Sequence, residues 1–277
     1  MSGSLDNRKY TPIGVFDSGV GGLTVAREIM RQLPRERLIY FGDTARVPYG
    51  SKSKETITRY SRQIIRFLQE KGVKAIVVAC NTASALALEQ IRTEIAIPII
   101  GVVKPGAKVA AETTRNGRIG VIGTEATIGS QIYTETIHEH NPKAEVIGKA
   151  CPLFVPLVEE GWRKDPITEE IARRYLMSFQ SSDIDTLIMG CTHYPLLRSI
   201  LRGILGDSVT LVNPAYETAQ GLKQMLEEHE MVNDGAGNQR GVQYQFYVSD
   251  AAEKFKEFAN TILPCEIKEA QLVHIEE

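Results

Sequence analysis

The sequence has no C-x-x-C pair; its four cysteines, Cys80, Cys151, Cys191 and Cys265, are widely spaced. That spacing excludes the common zinc and thiol-redox motifs, so no metal ligands are expected. Charge of one sign is not in excess either: the formal net charge is -2 over 277 residues. No broad attraction to nucleic acid or to an acidic membrane follows from such a balance. Long apolar runs are absent. The longest, around Ile95 to Val103, is broken by Pro98 and Gly101 and is too short to span a bilayer. The start, Met1 to Tyr10, is polar and has no apolar core of a secretory signal. A cytoplasmic protein is therefore expected, with residues 1–10 a flexible extension. Disulfides are not expected in a reducing compartment. Each cysteine is then either core filler or chemistry.

What is present is an ordinary globular composition, with 43% hydrophobic and 24% charged residues. Short apolar runs alternate with longer amphipathic segments. Ile13 to Phe16, Leu38 to Phe41, Ala75 to Ala79 and Pro98 to Gly101 read as buried strands. Helices are expected between them at 22–32, 53–71 and 82–95. All-apolar strands alternating with helices imply a parallel sheet covered on both faces. The rhythm then restarts. Ile119-Gly120-Val121-Ile122 resembles Ile13-Gly14-Val15-Phe16, and Asp185 to Met189 leads into Gly190-Cys191-Thr192 as Ala75 to Ala79 leads into Cys80-Asn81-Thr82. Glu145 to Gly148 and Val209 to Val212 supply further strands, and 168–180 a helix. After these come a helix (216–229), a polar loop (233–241), a strand (244–248) and a final helix (251–262).

The expected fold is α/β, built as two similar lobes. Each is a mainly parallel sheet flanked by helices, with the active site in the cleft between them. Residues 1–102 plus 214–277 are assigned to the first lobe and 103–213 to the second. Ligands of open α/β sheets bind beyond the carboxyl ends of the strands. The residues at those ends are Asp17-Ser18-Gly19, Gly42-Asp43-Thr44, Cys80-Asn81-Thr82, Gly123-Thr124 and Cys191-Thr192-His193. Nearly all are small, polar or reactive.

Asp17 to Gly22 is a glycine-rich turn opening a helix. Its spacing fits neither G-x-G-x-x-G nor a phosphate loop with its lysine, and Asp17 would repel a phosphate. Backbone N–H groups beside an acid suit a zwitterion better: the amides take a carboxylate and Asp17 takes an ammonium or assists a base. For Ser18 alone a helix cap is an equal reading. Arg46 and Tyr49 follow in a polar loop, within reach of a substrate or on the surface.

Burial as a small hydrophobe is the commoner fate of a cysteine, and Cys151 and Cys265 fit it. Cys80 and Cys191 differ. Each ends an apolar strand, precedes a polar residue and opens a helix. A helix N-terminus lowers a thiol pKa; a move from about 8.5 to about 7 is worth roughly 2 kcal/mol and makes a usable base. A symmetric pair of thiols suggests a symmetric reaction, the inversion of a stereocentre by proton transfer on two faces. His193 reads as a partner of Cys191, a tuner of it or a carboxylate holder. Glu159 reads as an acid or as a solvated helix end.

These motifs resemble the cofactor-independent aspartate/glutamate racemase superfamily, glutamate racemases in particular. The resemblance rests on Asp17-Ser18-Gly19-Val20-Gly21-Gly22, Gly42-Asp43 with Pro48-Tyr49-Gly50, Ala79-Cys80-Asn81-Thr82, Ile122-Gly123-Thr124 and Gly190-Cys191-Thr192-His193-Tyr194-Pro195. It covers the chain from about Ile13 to the final helix. It implies an isomerase that interconverts L- and D-glutamate without a cofactor and supplies D-glutamate for peptidoglycan. It also implies that Cys80 deprotonates D-glutamate and Cys191 L-glutamate, with Asp17, Glu159 and His193 assisting. Substrate-binding residues carried over are Asp17, Ser18, Asp43, Tyr49, Gly50, Asn81, Thr82, Thr124, Thr192 and His193. A homodimer is the expected assembly, although no residue fixes its interface; nucleic acid, membrane and pyridoxal phosphate are not called for. An aspartate-specific racemase, an amino-acid-binding protein without catalysis and a single-cysteine hydrolase are the competing readings.

Overall fold

The computed structural model describes residues 8–236 and 243–275. The chain opens with β1 (Ile13–Asp17), α1 (Leu23–Gln32), β2 (Leu38–Gly42), α2 (Lys54–Glu70) and β3 (Ala75–Val78). Two short helices, α3 (Asn81–Leu86) and α4 (Leu88–Arg92), then lead to β4 (Ile99–Gly101). The middle of the chain holds α5 (Val103–Thr113), β5 (Arg118–Gly123), α6 (Glu125–Gly129), α7 (Ile132–His140), β6 (Glu145–Ala150), α8 (Phe154–Glu159), α9 (Pro166–Gln180) and β7 (Thr186–Gly190). It continues through α10 (Arg198–Leu205) and β8 (Thr210–Val212). The end consists of α11 (Pro214–Glu228), β9 (Tyr244–Val248), α12 (Ala252–Asn260) and β10 (Gln271–Leu272).

Every strand pair is parallel. One sheet has the order β10-β9-β2-β1-β3-β4 and the other β6-β5-β7-β8. Without β9 and β10, the two orders are the same: second, first, third, fourth. The apparent restart of the strand rhythm at Ile119 is thus a real repeat of topology. Parallel sheets need cover on both faces, and four apolar clusters supply it, two per sheet. On the first sheet, one face packs under Leu23, Ile29 and Leu222, and the other under Ile64, Leu68 and Ile91. On the second sheet, Phe154, Leu176 and Leu201 cover one face, and Ala107, Ala110 and Ile137 the other.

Helix starts follow their capping residues. Ser53 accepts the Thr56 amide ahead of α2, and Asp165 and Asn213 cap α9 and α11, each followed by proline at the first helical position. The helix expected over 82–95 is broken at Ala87 into α3 and α4. Arg8–Tyr10, assigned to the flexible extension, is a 3-10 turn; Lys9 and Tyr10 donate to the Asp234 carboxylate at 2.8 and 3.2 Å. Of the expected 233–241 loop, residues 237–241 lie outside the described residues. Within 233–236, Asn233 is buried and bonded to Glu36 and Arg35. No helix among the described residues is long and apolar enough to cross a membrane.

At the amino ends of the first sheet's strands, Lys74 (0% exposed) pairs with Glu36 (2% exposed) at 2.5 Å. The ammonium also donates to the Lys9 and Met231 carbonyls at 2.6 and 2.8 Å, and Glu36 accepts the Asn233 amide. Burial pushes the lysine down and the glutamate up, against their mutual attraction. Removing one member leaves a buried charge unpaired. Lys74→Met should therefore cost about 3–5 kcal/mol in urea unfolding at neutral pH. The double change Glu36→Gln with Lys74→Met should cost less than the single change. A double variant as damaged as the single one would show that the unpaired charge is not the cause.

Candidate active site

The carboxyl ends of both sheets face a common cavity of about 380 Å³. Ser18, Tyr49, Gly50, Cys80, Asn81 and Thr82 line it from the first sheet's side; Thr124, Glu159, Cys191, Thr192 and His193 line it from the second. Both thiols are buried and not disulfide-bonded. Cys80 follows β3 and Cys191 follows β7, the equivalent third strands of the repeat.

The lobes meet here at backbone distance. The Thr24 hydroxyl shares its one hydrogen between the Gly21 carbonyl and, across the boundary, the Thr192 carbonyl, both at 2.9 Å. A β-carbon on Gly21 would lie 2.2 Å from Thr192 Oγ1 and 2.5 Å from the His193 ring, so only glycine permits the approach. Thr82 and Thr124 share a hydroxyl–hydroxyl hydrogen bond at 3.0 Å across the boundary. Thr127, in the first turn of α6, extends that contact, with its hydroxyl 3.3 Å from that of Thr82. Sequence reasoning overlooked Thr24 and Thr127. The spacing of Thr127, three residues after the helix-capping Thr124, was the only available signal for it.

The two thiols stand in different electrostatic settings. Cys80 caps α3 and its sulfur is 3.8 Å from the Ser18 hydroxyl oxygen. The expected lowering of its pKa does not occur. Burial, and then the neighbouring Asp17 carboxylate, push the Cys80 thiol up to about 12. The six-residue α3 is too short for its amino end to outweigh both effects. Cys191 does not open a helix directly, as had been expected: Thr192 and His193 intervene before a 3-10 turn at Tyr194–Leu197 and then α10. Its polar neighbour is instead His193, whose Nδ1 is 3.8 Å from the sulfur. The other ring nitrogen, Nε2, lies 2.9 Å from Glu159 Oε1.

Burial alone would depress His193, but its hydrogen bonds to Cys191 and Glu159 outweigh that and raise it from 6.5 to about 10. Glu159 is held low; the hydrogen bond and charge of His193 overcome its own burial penalty. The histidine is thus an imidazolium at neutral pH, placed between the Cys191 sulfur and the Glu159 carboxylate.

Asp17 does not line the cavity. It is fully buried behind the glycine turn and accepts the Gly19 amide at 3.0 Å with Oδ2, while Oδ1 has no hydrogen-bond partner among the described residues. Burial raises its pKa, opposed by the charge of His193 and by backbone amides. The Gly19 amide, expected to be free for a substrate carboxylate, is therefore committed to Asp17. Asp43 also lies away from the cavity. Its carboxylate accepts from Arg46, Ser249 and the Tyr49 hydroxyl, and so holds Tyr49, which lines the cavity. Arg46 is taken up by that pair and by stacking on Tyr60, 4.0 Å from the ring centre. Among the described residues no cluster of His, Cys, Asp and Glu has the makeup of a metal site.

Paired strand-end cysteines on a shared cavity between two α/β lobes mark the class: a two-lobed amino-acid racemase. The defining pattern of the Asp/Glu/hydantoin racemases matches residues 13–221, and the chain belongs to that family. It is 48% identical to the glutamate racemase of Geobacter metallireducens over 269 residues, covering 96% of this chain and 98% of the relative. A glutamate racemase structure from Bacillus anthracis superimposes with a TM-score of 0.92 at 39% identity, covering 96% of this chain and 98% of that one. One from Francisella tularensis, in complex with D-glutamate, superimposes at 0.89 with 39% identity, covering 97% and 99%.

His193 gives the site a pH signature. Its folded pKa lies above the ordinary value, so it contributes stability that is complete below about 6.5 and lost as pH rises through about 10. Glu159→Gln removes one of the raising contacts. The imidazole titration, followed by proton NMR of the ring, should then fall below 10, and alkaline destabilisation should begin at lower pH. An unchanged titration would break the assignment of Glu159 as the partner that holds the charge.

Proposed function

We propose that this protein is a glutamate racemase working through two cysteines without a cofactor, with Cys80 deprotonating D-glutamate and Cys191 L-glutamate. The observation that carries the reading is that two thiols, from equivalent ends of two equivalent sheets, line one cavity. In each direction one sulfur, as thiolate, removes the α-hydrogen as a proton. The electron pair left on carbon spreads into the adjacent carboxylate. The opposite thiol then gives its proton to the other face, and the two sulfurs have exchanged protonation states. Positioned acid–base groups of this kind supply about 10²–10⁴-fold each.

The neighbours divide the work. His193, held by Glu159, balances negative charge at Cys191. Asp17 stands by Cys80 as the group able to take up or return its proton, and the ammonium of an arriving amino acid offsets the carboxylate's charge. Ser18, Asn81, Thr82, Thr124 and Thr192 present hydroxyl and amide groups to the two carboxylates, and Tyr49 and Gly50 close one wall. Residues 1–102 with 214–277 form one lobe in this reading and 103–213 the other. The product feeds peptidoglycan synthesis in the cytoplasm, where the free cysteines stay reduced. A homodimer completes the proposal. The exposed Leu153, Trp162, Ile167 and Met177 on the second lobe support it, and light scattering reads it directly.

Circular dichroism on either enantiomer with the purified chain should show decay to the racemate. In deuterated water the α-position should acquire deuterium during turnover; racemisation with no incorporation would exclude the proton transfers. Cys80→Ala and Cys191→Ala should each lower kcat/KM by about 10³-fold or more. A single variant that keeps near-full activity would discredit the paired-thiol scheme.

A further inference from the structure

Tyr133 is a residue that neither the motifs nor the proposed mechanism uses. It lies on α7 of the second sheet's lobe, 3% exposed, and nothing in its sequence surroundings marks it. Its hydroxyl reaches across the lobe boundary and donates to Asn81 Oδ1 at 2.7 Å. Its ring lies against the end of β7, just before Cys191: a β-carbon on Gly190 would stand 3.1 Å from the tyrosine edge. One side chain therefore touches the residue after Cys80 and the residue before Cys191.

The hydrogen bond also decides which way the Asn81 amide faces. An asparagine side chain offers an acceptor on one edge and two donors on the other. A phenol is a good donor and a weak acceptor, and burial pushes the Tyr133 hydroxyl further from ionisation, so it stays a donor. With Oδ1 taken up by Tyr133, Nδ2 is left as the cavity-facing edge. Nδ2 makes no hydrogen bond to the described residues, is not among the buried unpartnered atoms, and Asn81 lines the cavity. A flipped amide would present its oxygen to an anionic ligand and repel it.

We infer that Tyr133 is a positioning residue for the reaction: its ring sets the spacing of the two thiol-bearing turns, and its hydroxyl fixes the Asn81 amide with both N–H donors aimed at a substrate carboxylate. The inference rests on the reading of the site as one for glutamate. It separates the two parts of the side chain. Loss of the hydroxyl weakens carboxylate binding in ground and transition states alike, which raises KM and spares kcat. Loss of the ring disturbs the placement of the sulfurs and lowers kcat.

The test is steady-state racemisation in both directions by wild type, Tyr133→Phe, Tyr133→Leu, Asn81→Ala and the Tyr133→Phe/Asn81→Ala pair, with thermal melting of each. Tyr133→Phe should raise KM about tenfold for both enantiomers, with kcat within about twofold and an almost unchanged melting temperature. Tyr133→Leu should also lower kcat by tenfold or more. In the double variant the Tyr133→Phe change should add nothing to the loss from Asn81→Ala, because the amide it orients is gone. Asn81→Asp keeps an acceptor for the tyrosine but replaces the cavity-facing NH₂ by oxygen; its KM should rise more than tenfold even if Tyr133→Phe folds poorly. Unchanged KM in Tyr133→Phe or in Asn81→Asp, or fully additive losses in the pair, would overturn the inference. A wild-type chain inert towards glutamate would instead remove the functional reading beneath it.

Discussion

The Thr24 hydroxyl reaches over the lobe boundary to the Thr192 carbonyl, and Gly21 beside it leaves no space for even one more carbon. This contact sets the distance between the two halves, and the rest of the site depends on it. Each sheet alone would present a strand end with a thiol and a few hydroxyls to open water. Brought together at backbone range, the two ends enclose a small cavity lined by both sulfurs. The hydroxyls of Thr82, Thr124 and Thr127 add contacts of 3.0 and 3.3 Å across the same boundary.

The two halves repeat in backbone but not in charge. The strand orders agree, and each cysteine follows the third strand of its sheet. The neighbours differ: a buried carboxylate and a serine hydroxyl beside Cys80, an imidazolium backed by a glutamate beside Cys191. In the proposed reaction a pair of mirror-related substrates asks for acid–base groups on two faces, and the repeated fold places one thiol beyond the third strand of each sheet. A single substrate, with one ammonium and fixed handedness, does not present the same surroundings to both faces. The unequal neighbours suit that asymmetry.

Much of this was legible in the residue pattern because buried parallel strands leave a strong trace. Ile13 to Phe16, Ala75 to Val78 and Leu187 to Met189 carry no polar side chain, and the cysteines just beyond the latter two runs, Cys80 and Cys191, line the cavity. The helix α5 was not anticipated: Pro105 and Gly106 stand in its first turn, where proline is tolerated but reads as a break. Asp17 and Asp43 sit at strand ends as the cavity residues do, yet both turn inward. Sequence position gives the end of the strand; it does not tell whether a carboxylate is consumed by its own loop, as by Gly19, or by its neighbours, as by Arg46 and Tyr49. Electrostatics was the least visible layer. A helix start hinted at an activated Cys80, whereas burial beside Asp17 acts in the opposite direction and with greater weight.

That burial bears on how the protein endures between encounters with its substrate. Peroxides and alkylating agents react with sulfur in its anionic state and far more slowly with the protonated form. Cys80, its thiol pushed up to about 12 and only 5% exposed, offers such reagents little of the reactive form. The same burial that makes this sulfur a weak acid favours the form that oxidants attack slowly.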